Sequence, residues 1–201
     1  MLLYSLEEHY LQNLRLLLNL LQRHKNRKSQ NCNPQQKHVQ ITHRLEGFFL
    51  QKLKDLANPE KVLFKEKKFG VVAQNSLGVY GKDLNSIARE IGKNSELAIQ
   101  LFDSEIYEAR LLCSKIFKPR DVTEALMEYW TPTFNNWEIC DSFSMGLYSK
   151  SPFAVKKINE WSTREREFEK RAAFATMASY CMADKKASND VYEAFFSLIK
   201  R

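Results

Sequence analysis

Residues 121–182 read DVTEALMEYWTPTFNNWEICDSFSMGLYSKSPFAVKKINEWSTREREFEKRAAFATMASYCM, and the spacing of their apolar side chains decides the fold. The stretch predicts helices over about 121–130, 135–149, 152–161 and 164–182. Asp121 and Ser151-Pro152 supply start signals, because a short polar side chain satisfies the free N–H groups of a first turn and proline fits its first position. A first helix near 121 is followed by a second near 135, and one near 152 by one near 164. A further helix over 188–200 begins the next unit.

A helix pair recurring about every thirty-odd residues is the mark of a stacked solenoid in which each unit covers its neighbour's apolar face. The expected fold is therefore an all-α, HEAT-like helical-repeat superhelix. Its last repeat is expected to be incomplete, leaving the apolar face of 188–200 (Val191, Ala194, Phe195, Leu198) without a partner helix. Upstream, the same reading predicts helices over about 40–56, 59–72, 82–92, 95–103 and 105–118. Asn58-Pro59-Glu60 and Ser95-Glu96 mark two of their starts.

The N-terminus is different in kind. Leu3, Leu6, Tyr10, Leu14, Leu17 and Leu21 recur at helical spacing, so residues 2–23 read as one amphipathic helix. Residues 24–38, HKNRKSQNCNPQQKH, are polar and basic without apolar period and read as a flexible linker. The expected organisation is residues 1–38 as helix and linker, and 39–201 as the repeat domain. Glu7, Glu8 and Arg15 break up the leucine run, which fits neither a signal peptide nor a bilayer span.

Composition narrows the chemistry. There are six glycines and five prolines among 201 residues, and 44% of the chain is hydrophobic, which suits one helical core. The 31 basic against 24 acidic side chains point to a polyanionic partner, nucleic acid or an acidic membrane surface. Residues 1–47 hold seven of the basic and three of the acidic groups, so the body is nearly balanced and must bind anions by local clustering. All four histidines lie before residue 48, which removes Ser-His-Asp, Cys-His and most zinc chemistry from the body. The four cysteines form no CxxC pair, so no zinc finger, iron–sulfur cluster or disulfide framework is expected, and a reducing compartment is the default.

Three segments resemble the AlkD-like DNA alkylation repair family. Leu77-Gly78-Val79-Tyr80-Gly81-Lys82-Asp83-Leu84 with Ile87-Ala88 is similar to its GV-x-x-x-x-LR-x-IA opening, with Asn85 where the family usually has arginine. Trp137-Glu138-Ile139-Cys140-Asp141-Ser142 resembles its Trp-x-x-x-Asp signature. Lys170-Arg171-Ala172-Ala173-Phe174, with Trp161 upstream, resembles its Arg-x-Ala helix. Together with 106–112 they run in order over about 70–180. The resemblance implies a DNA glycosylase that hydrolyses the N-glycosidic bond of N3- or N7-alkylated purines in duplex DNA. It implies no cofactor and no metal, a monomer, and an intracellular, soluble protein (nuclear in a eukaryote, cytoplasmic in a bacterium). The family also carries a second tryptophan in a Trp-x-Leu-Arg helix, which would follow residue 201. The alternative is a HEAT-like protein that binds DNA, or serves as a protein scaffold, without catalysis.

Side-chain spacing supplies the candidate site. Trp137 and Asp141 are four positions apart and share a helix face, with Met145 and Tyr148 expected to continue it as an aromatic wall. By itself that pattern also fits a core tryptophan beside a surface carboxylate. The resemblance assigns Asp141 and Trp137 to catalysis. Arg171 stands at the edge of an apolar helix face, suited either to phosphate or to an ion pair with Glu167; the resemblance favours phosphate. Lys156 and Lys157 are further candidates for DNA contact. Lys61, Lys65, Lys67, Lys68, Lys150, Arg164, Arg166, Lys185 and Lys186 form other basic clusters.

Overall fold

A computed structural model describes residues 34–183 and 189–200. The chain separates into two units, residues 1–40 and 41–201. The expected amphipathic helix over 2–23 lies outside the described residues.

The described residues form ten α-helices and no strand: α1 (Pro34–Asp55), α2 (Pro59–Phe69), α3 (Gly81–Ile91), α4 (Ser95–Asp103), α5 (Tyr107–Ile116), α6 (Glu124–Trp130), α7 (Trp137–Gly146), α8 (Ala154–Trp161), α9 (Glu167–Ala183) and α10 (Asn189–Ile199). Helix α1 starts five residues inside the stretch read as linker. Pro34 is its first residue, and a proline there loses no helical hydrogen bond.

Helix starts follow side-chain caps. Asn58 accepts from Lys61 N at 3.1 Å, Asn94 from Leu97 N at 3.1 Å, Thr123 from Leu126 N at 3.2 Å and Asn136 from Ile139 N at 3.2 Å. Two start signals were displaced. Asp121 closes a short 3-10 turn (Pro119–Asp121) and Thr123 caps α6 instead, while α8 begins three residues after Ser151 without a side-chain cap.

First helices begin at Ser95, Glu124 and Ala154, and second helices at Tyr107, Trp137 and Glu167, so a pair recurs about every thirty residues. Cross-helix bonds hold the same offset. Tyr107 meets Asn136, Ser114 meets Ser142 at 2.7 Å, Arg171 meets Asp141, and Ser179 meets Ser149 at 3.1 Å. Helices α5, α7 and α9 therefore run parallel and in register, side by side. Between them and the first helices sits an aromatic core. Trp130 packs on Phe117 and Phe143 with ring centres 5.2 and 5.4 Å apart, and Tyr148 packs on Trp161 at 5.6 Å.

Gly78 in the 70–80 connection is required by geometry. Its φ is +75°, and a Cβ there would lie 2.1 Å from the Asn58 carbonyl oxygen. The loop is held from below by the buried Glu108 carboxylate, which accepts from Ser76 Oγ, Leu77 N and Gly78 N, each at 2.8 Å. The Leu77-Gly78-Val79 motif is thus a structural brace between α2 and α5.

The last helix departs from expectation. Phe195 is buried against Ile158 and Met177, with Val191 and Leu198 packed around it, so α8 and α9 cover most of the face predicted to lack a partner. Ala194 is exposed, and Phe196 and Ile199 point outward.

Candidate functional site

The candidate site is built on the first two turns of α7. The Asn136 cap sets the helix start, so Trp137 and Asp141 project from one side of it. Trp137 is half-exposed, and its indole N–H donates to the Phe69 carbonyl at 2.9 Å, at the end of α2. Residue 70 follows as a left-handed glycine cap, which ends α2 there. Lys65 of α2 donates to both Glu138 oxygens at 2.8 and 2.9 Å, and the Tyr107 hydroxyl lies 3.0 Å from Glu138 Oε2. Burial and the Glu138 carboxylate raise the Tyr107 phenol, which stays protonated as a donor. Helix α2 is thereby clamped to α7, and the indole is held by its N–H while the residue stays 38% exposed.

Asp141 and Arg171 meet directly. Arg171 Nε donates to Asp141 Oδ1 at 2.8 Å and Nη2 to Oδ2 at 2.7 Å, a two-armed pair between α7 and α9. Hydrogen bonding to Asp141 raises the Arg171 guanidinium above its usual range. Its partner is Asp141 rather than Glu167, the alternative that sequence spacing offered. Trp137 stands one turn before Asp141 on α7, and Arg171 reaches Asp141 from α9, which brings a partly exposed indole, a carboxylate and a guanidinium to one stretch of α7. Behind it, Cys140 is buried and burial pushes its thiol up to about 12, so it is inert packing.

Other expected members go elsewhere. Tyr148 does not continue the Trp137–Asp141 face, because α7 ends at Gly146 and a 3-10 turn (Tyr148–Lys150) turns the ring into the core. Met145, still helical, remains exposed. Lys157 is buried on α8, where its ammonium donates to Glu160 at 2.6 Å and Glu128 at 2.9 Å and lies 3.2 Å from Glu124. Lys156 is exposed and pairs with Glu124 at 2.6 Å. Arg164 and Trp161 Nε1 complete this network on Glu128. These cations neutralise carboxylates of α6 and α8, and Lys157 has no outward-facing charge. Lys185 and Lys186 lie outside the described residues.

The clamp residues Lys65, Glu138, Tyr107 and the Phe69 carbonyl escaped the sequence reading. Lys65 stood in a basic cluster there, but its partner is 73 positions away, and no local pattern links them.

No three-carboxylate, histidine or cysteine grouping able to hold a metal occurs among the described residues. No described helix is long and apolar enough to cross a membrane.

Comparison with known proteins bears on the whole arrangement. The family described as "DNA alkylation repair enzyme" matches the chain over residues 49–200. Among solved structures, one chain described as from "a new family of proteins related to the HEAT-like repeat DNA glycosylases with affinity for branched DNA structures" is similar with a TM-score of 0.66 at 19% identity. The match covers 76% of this chain and 65% of that one, so this chain spans just under two thirds of its length. At that identity the likeness shows a shared fold, the HEAT-like helical repeat. No curated protein sequence matches the chain.

Proposed function

We propose, for a chain that belongs to the DNA alkylation repair enzyme family, that the Trp137–Asp141–Arg171 cluster removes cationic alkylated purines from duplex DNA. The observation that carries this reading is the carboxylate–guanidinium pair one helical turn from a partly exposed tryptophan.

A purine alkylated at N3 or N7 already bears positive charge, so it leaves without a general acid. The C1′–N bond breaks with its electron pair going to the base, which departs neutral. Positive charge develops on the sugar, water adds at C1′, and the water gives up a proton. A fixed carboxylate serves both needs, by opposing the sugar's charge and by accepting that proton. The Trp137 face attracts the cationic base by about 0.5–2 kcal/mol. A body without histidine loses nothing by this route.

The ion pair adds a step. While Arg171 holds Asp141, the carboxylate's charge is largely cancelled. A DNA phosphate competes for the guanidinium, and the bidentate grip transfers from carboxylate to phosphate. Asp141 is then released beside the sugar when the backbone is in place. Lys156, on the surface of α8, is a candidate for an outer phosphate contact; Lys157 joins only after its carboxylate partners let go.

The test is incubation of the protein with duplex DNA containing N7-methylguanine, scoring released base and abasic sites. Release by the wild type that is lost in Asp141→Asn supports the reading; no release by the wild type overturns it.

A second reading has its own support. The similar solved chain is described as having affinity for branched DNA, and the closed Asp141–Arg171 pair suits a protein that binds without cutting. On this reading a branched probe outcompetes a linear duplex and no base is released.

A further inference from the structure

Away from that cluster, helix α3 and the connections that follow α3, α5 and α7 carry a group of basic side chains. Two recesses, of about 640 and 790 Å³, open there and share Lys93 in their walls. The first is lined by Lys82, Arg89 and Lys115, with Ala88 and Gly92 as its small residues; the second by Lys118, Arg120 and Lys150, with Pro119 and Pro152. Neither contains Trp137, Asp141 or Arg171.

Seven cations, Lys82, Arg89, Lys93, Lys115, Lys118, Arg120 and Lys150, line two recesses that share a wall, and few of them meet an acid. Lys65, Lys156, Lys157, Arg164, Arg166 and Arg171 are each held by an acid. In the two recesses Arg120 lies 3.6 Å from Asp121, and no other lining cation makes an ion pair among the described residues. A helix C-terminus ordinarily presents negative carbonyl ends. Here Lys93 Nζ donates to the Lys115 and Phe117 carbonyls at 2.8 and 3.1 Å, which cancels that potential at the end of α5. Burial, together with the nearby Lys150 ammonium, lowers the Lys93 pKa, so the two cations are close enough to repel. Asp121 beside Arg120 and Glu138 acting on Lys115 offset part of this, and the remaining like charges are unfavourable unless an anion sits among them.

We infer that these two recesses form one continuous track for the sugar–phosphate backbone of DNA, separate from the Trp137–Asp141–Arg171 cluster. Packed helices stand about 8–10 Å apart, so cations spread along α3 and past the ends of α5 and α7 form a line rather than a compact spot. A line of positive charge matches a polymer that carries a charge every about 3.4 Å of axis on each strand. An anionic lipid surface offers the same charge without that linear spacing, and vesicle binding distinguishes it. The track stands whether or not the cluster cleaves.

The experiment measures binding of the full chain to a short, undamaged, labelled duplex across a salt series. It compares wild type with Arg89→Glu/Lys150→Glu and with the milder Arg89→Ala/Lys150→Ala. Both side chains are exposed, and thermal melting of each variant checks the fold. The charge reversal is expected to weaken binding about tenfold or more, and to flatten the slope of log affinity against log salt by about two, one for each phosphate lost. The alanine pair should flatten the slope equally with a smaller loss, which keeps the test valid if the reversal disturbs folding. Binding unchanged in both variants overturns the track, as does tighter binding to phosphatidylserine vesicles than to DNA. Reduced binding with no base release by any form, wild type included, upholds the track and sinks the glycosylase reading.

Discussion

Arg171 and Asp141, thirty positions apart, grip each other through two parallel hydrogen bonds of 2.8 and 2.7 Å across the gap between α9 and α7. Each side chain is partly exposed, at 43% and 24%, so water weakens the attraction and the pair can be exchanged. A buried pair would be locked. An exposed one can trade its anion for a phosphate, which makes it suited to sensing DNA.

Asp141→Asn should abolish release of N7-methylguanine while leaving affinity for undamaged duplex equal or slightly tighter. The amide removes the charge that repels phosphate and frees Arg171. Fixed electrostatic contributions of this kind amount to about 3–4 kcal/mol in the chemical step. Single-turnover base release beside equilibrium binding checks both halves; full activity in the variant would mean another residue does the chemistry.

Arg171→Ala should act on binding instead. Affinity for any duplex falls and the salt dependence flattens by about one counterion. Arg171→Lys should recover part of the affinity, since an ammonium offers charge without the planar fork. A salt slope identical to wild type would place the guanidinium off the backbone.

Gly78→Ala should be the most damaging single-methyl addition in the loop. The left-handed φ and the 2.1 Å approach to the Asn58 carbonyl act together, so a loss above about 2 kcal/mol is expected. Gly70→Ala is the control, because its φ of +64° and ψ of 22° are the left-handed helical conformation and its surroundings are open. That change should cost about 1–2 kcal/mol. Chemical denaturation of the two variants separates backbone strain from collision.

Acid should expose the network on α6 and α8. Burial would raise the Glu128 carboxyl, but hydrogen bonds from Lys157, Trp161 and Arg164 prevail and hold it at about 2, below its ordinary 4.5. A depressed folded-state value means that Glu128 stabilises the fold fully above pH 4.5, and that this contribution is lost as pH falls towards 2. Glu128→Gln should therefore be less stable than wild type at neutral pH, and the difference should shrink below pH 4.5. Urea midpoints across that range test it, and a gap that stays constant would rule out the carboxylate charge as its source.

Much of this protein was legible in its linear pattern. Apolar spacing located every described helix, because a helix face repeats over three or four residues and is set by neighbours in the chain. Asn58-Pro59 marked a true start for the same local reason. The pairing period of about thirty residues gave the stack, and Trp137 and Asp141 shared a face because four positions make about one turn. Tyr148 failed where local reading fails, since α7 ended one turn earlier than its apolar pattern and the ring turned inward.

Tertiary structure alone decided which charges meet. Arg171 chose Asp141 over Glu167, Lys65 chose Glu138, and Lys157 disappeared among three acids. Seven further cations, from Lys82 to Lys150 in the chain, came together around two adjoining recesses. An apolar face is a property of one helix, but a charge pair needs two side chains brought within about 3 Å by helices far apart in the chain. Sequence order carries the first kind of information directly; the second exists once the repeats have stacked in register.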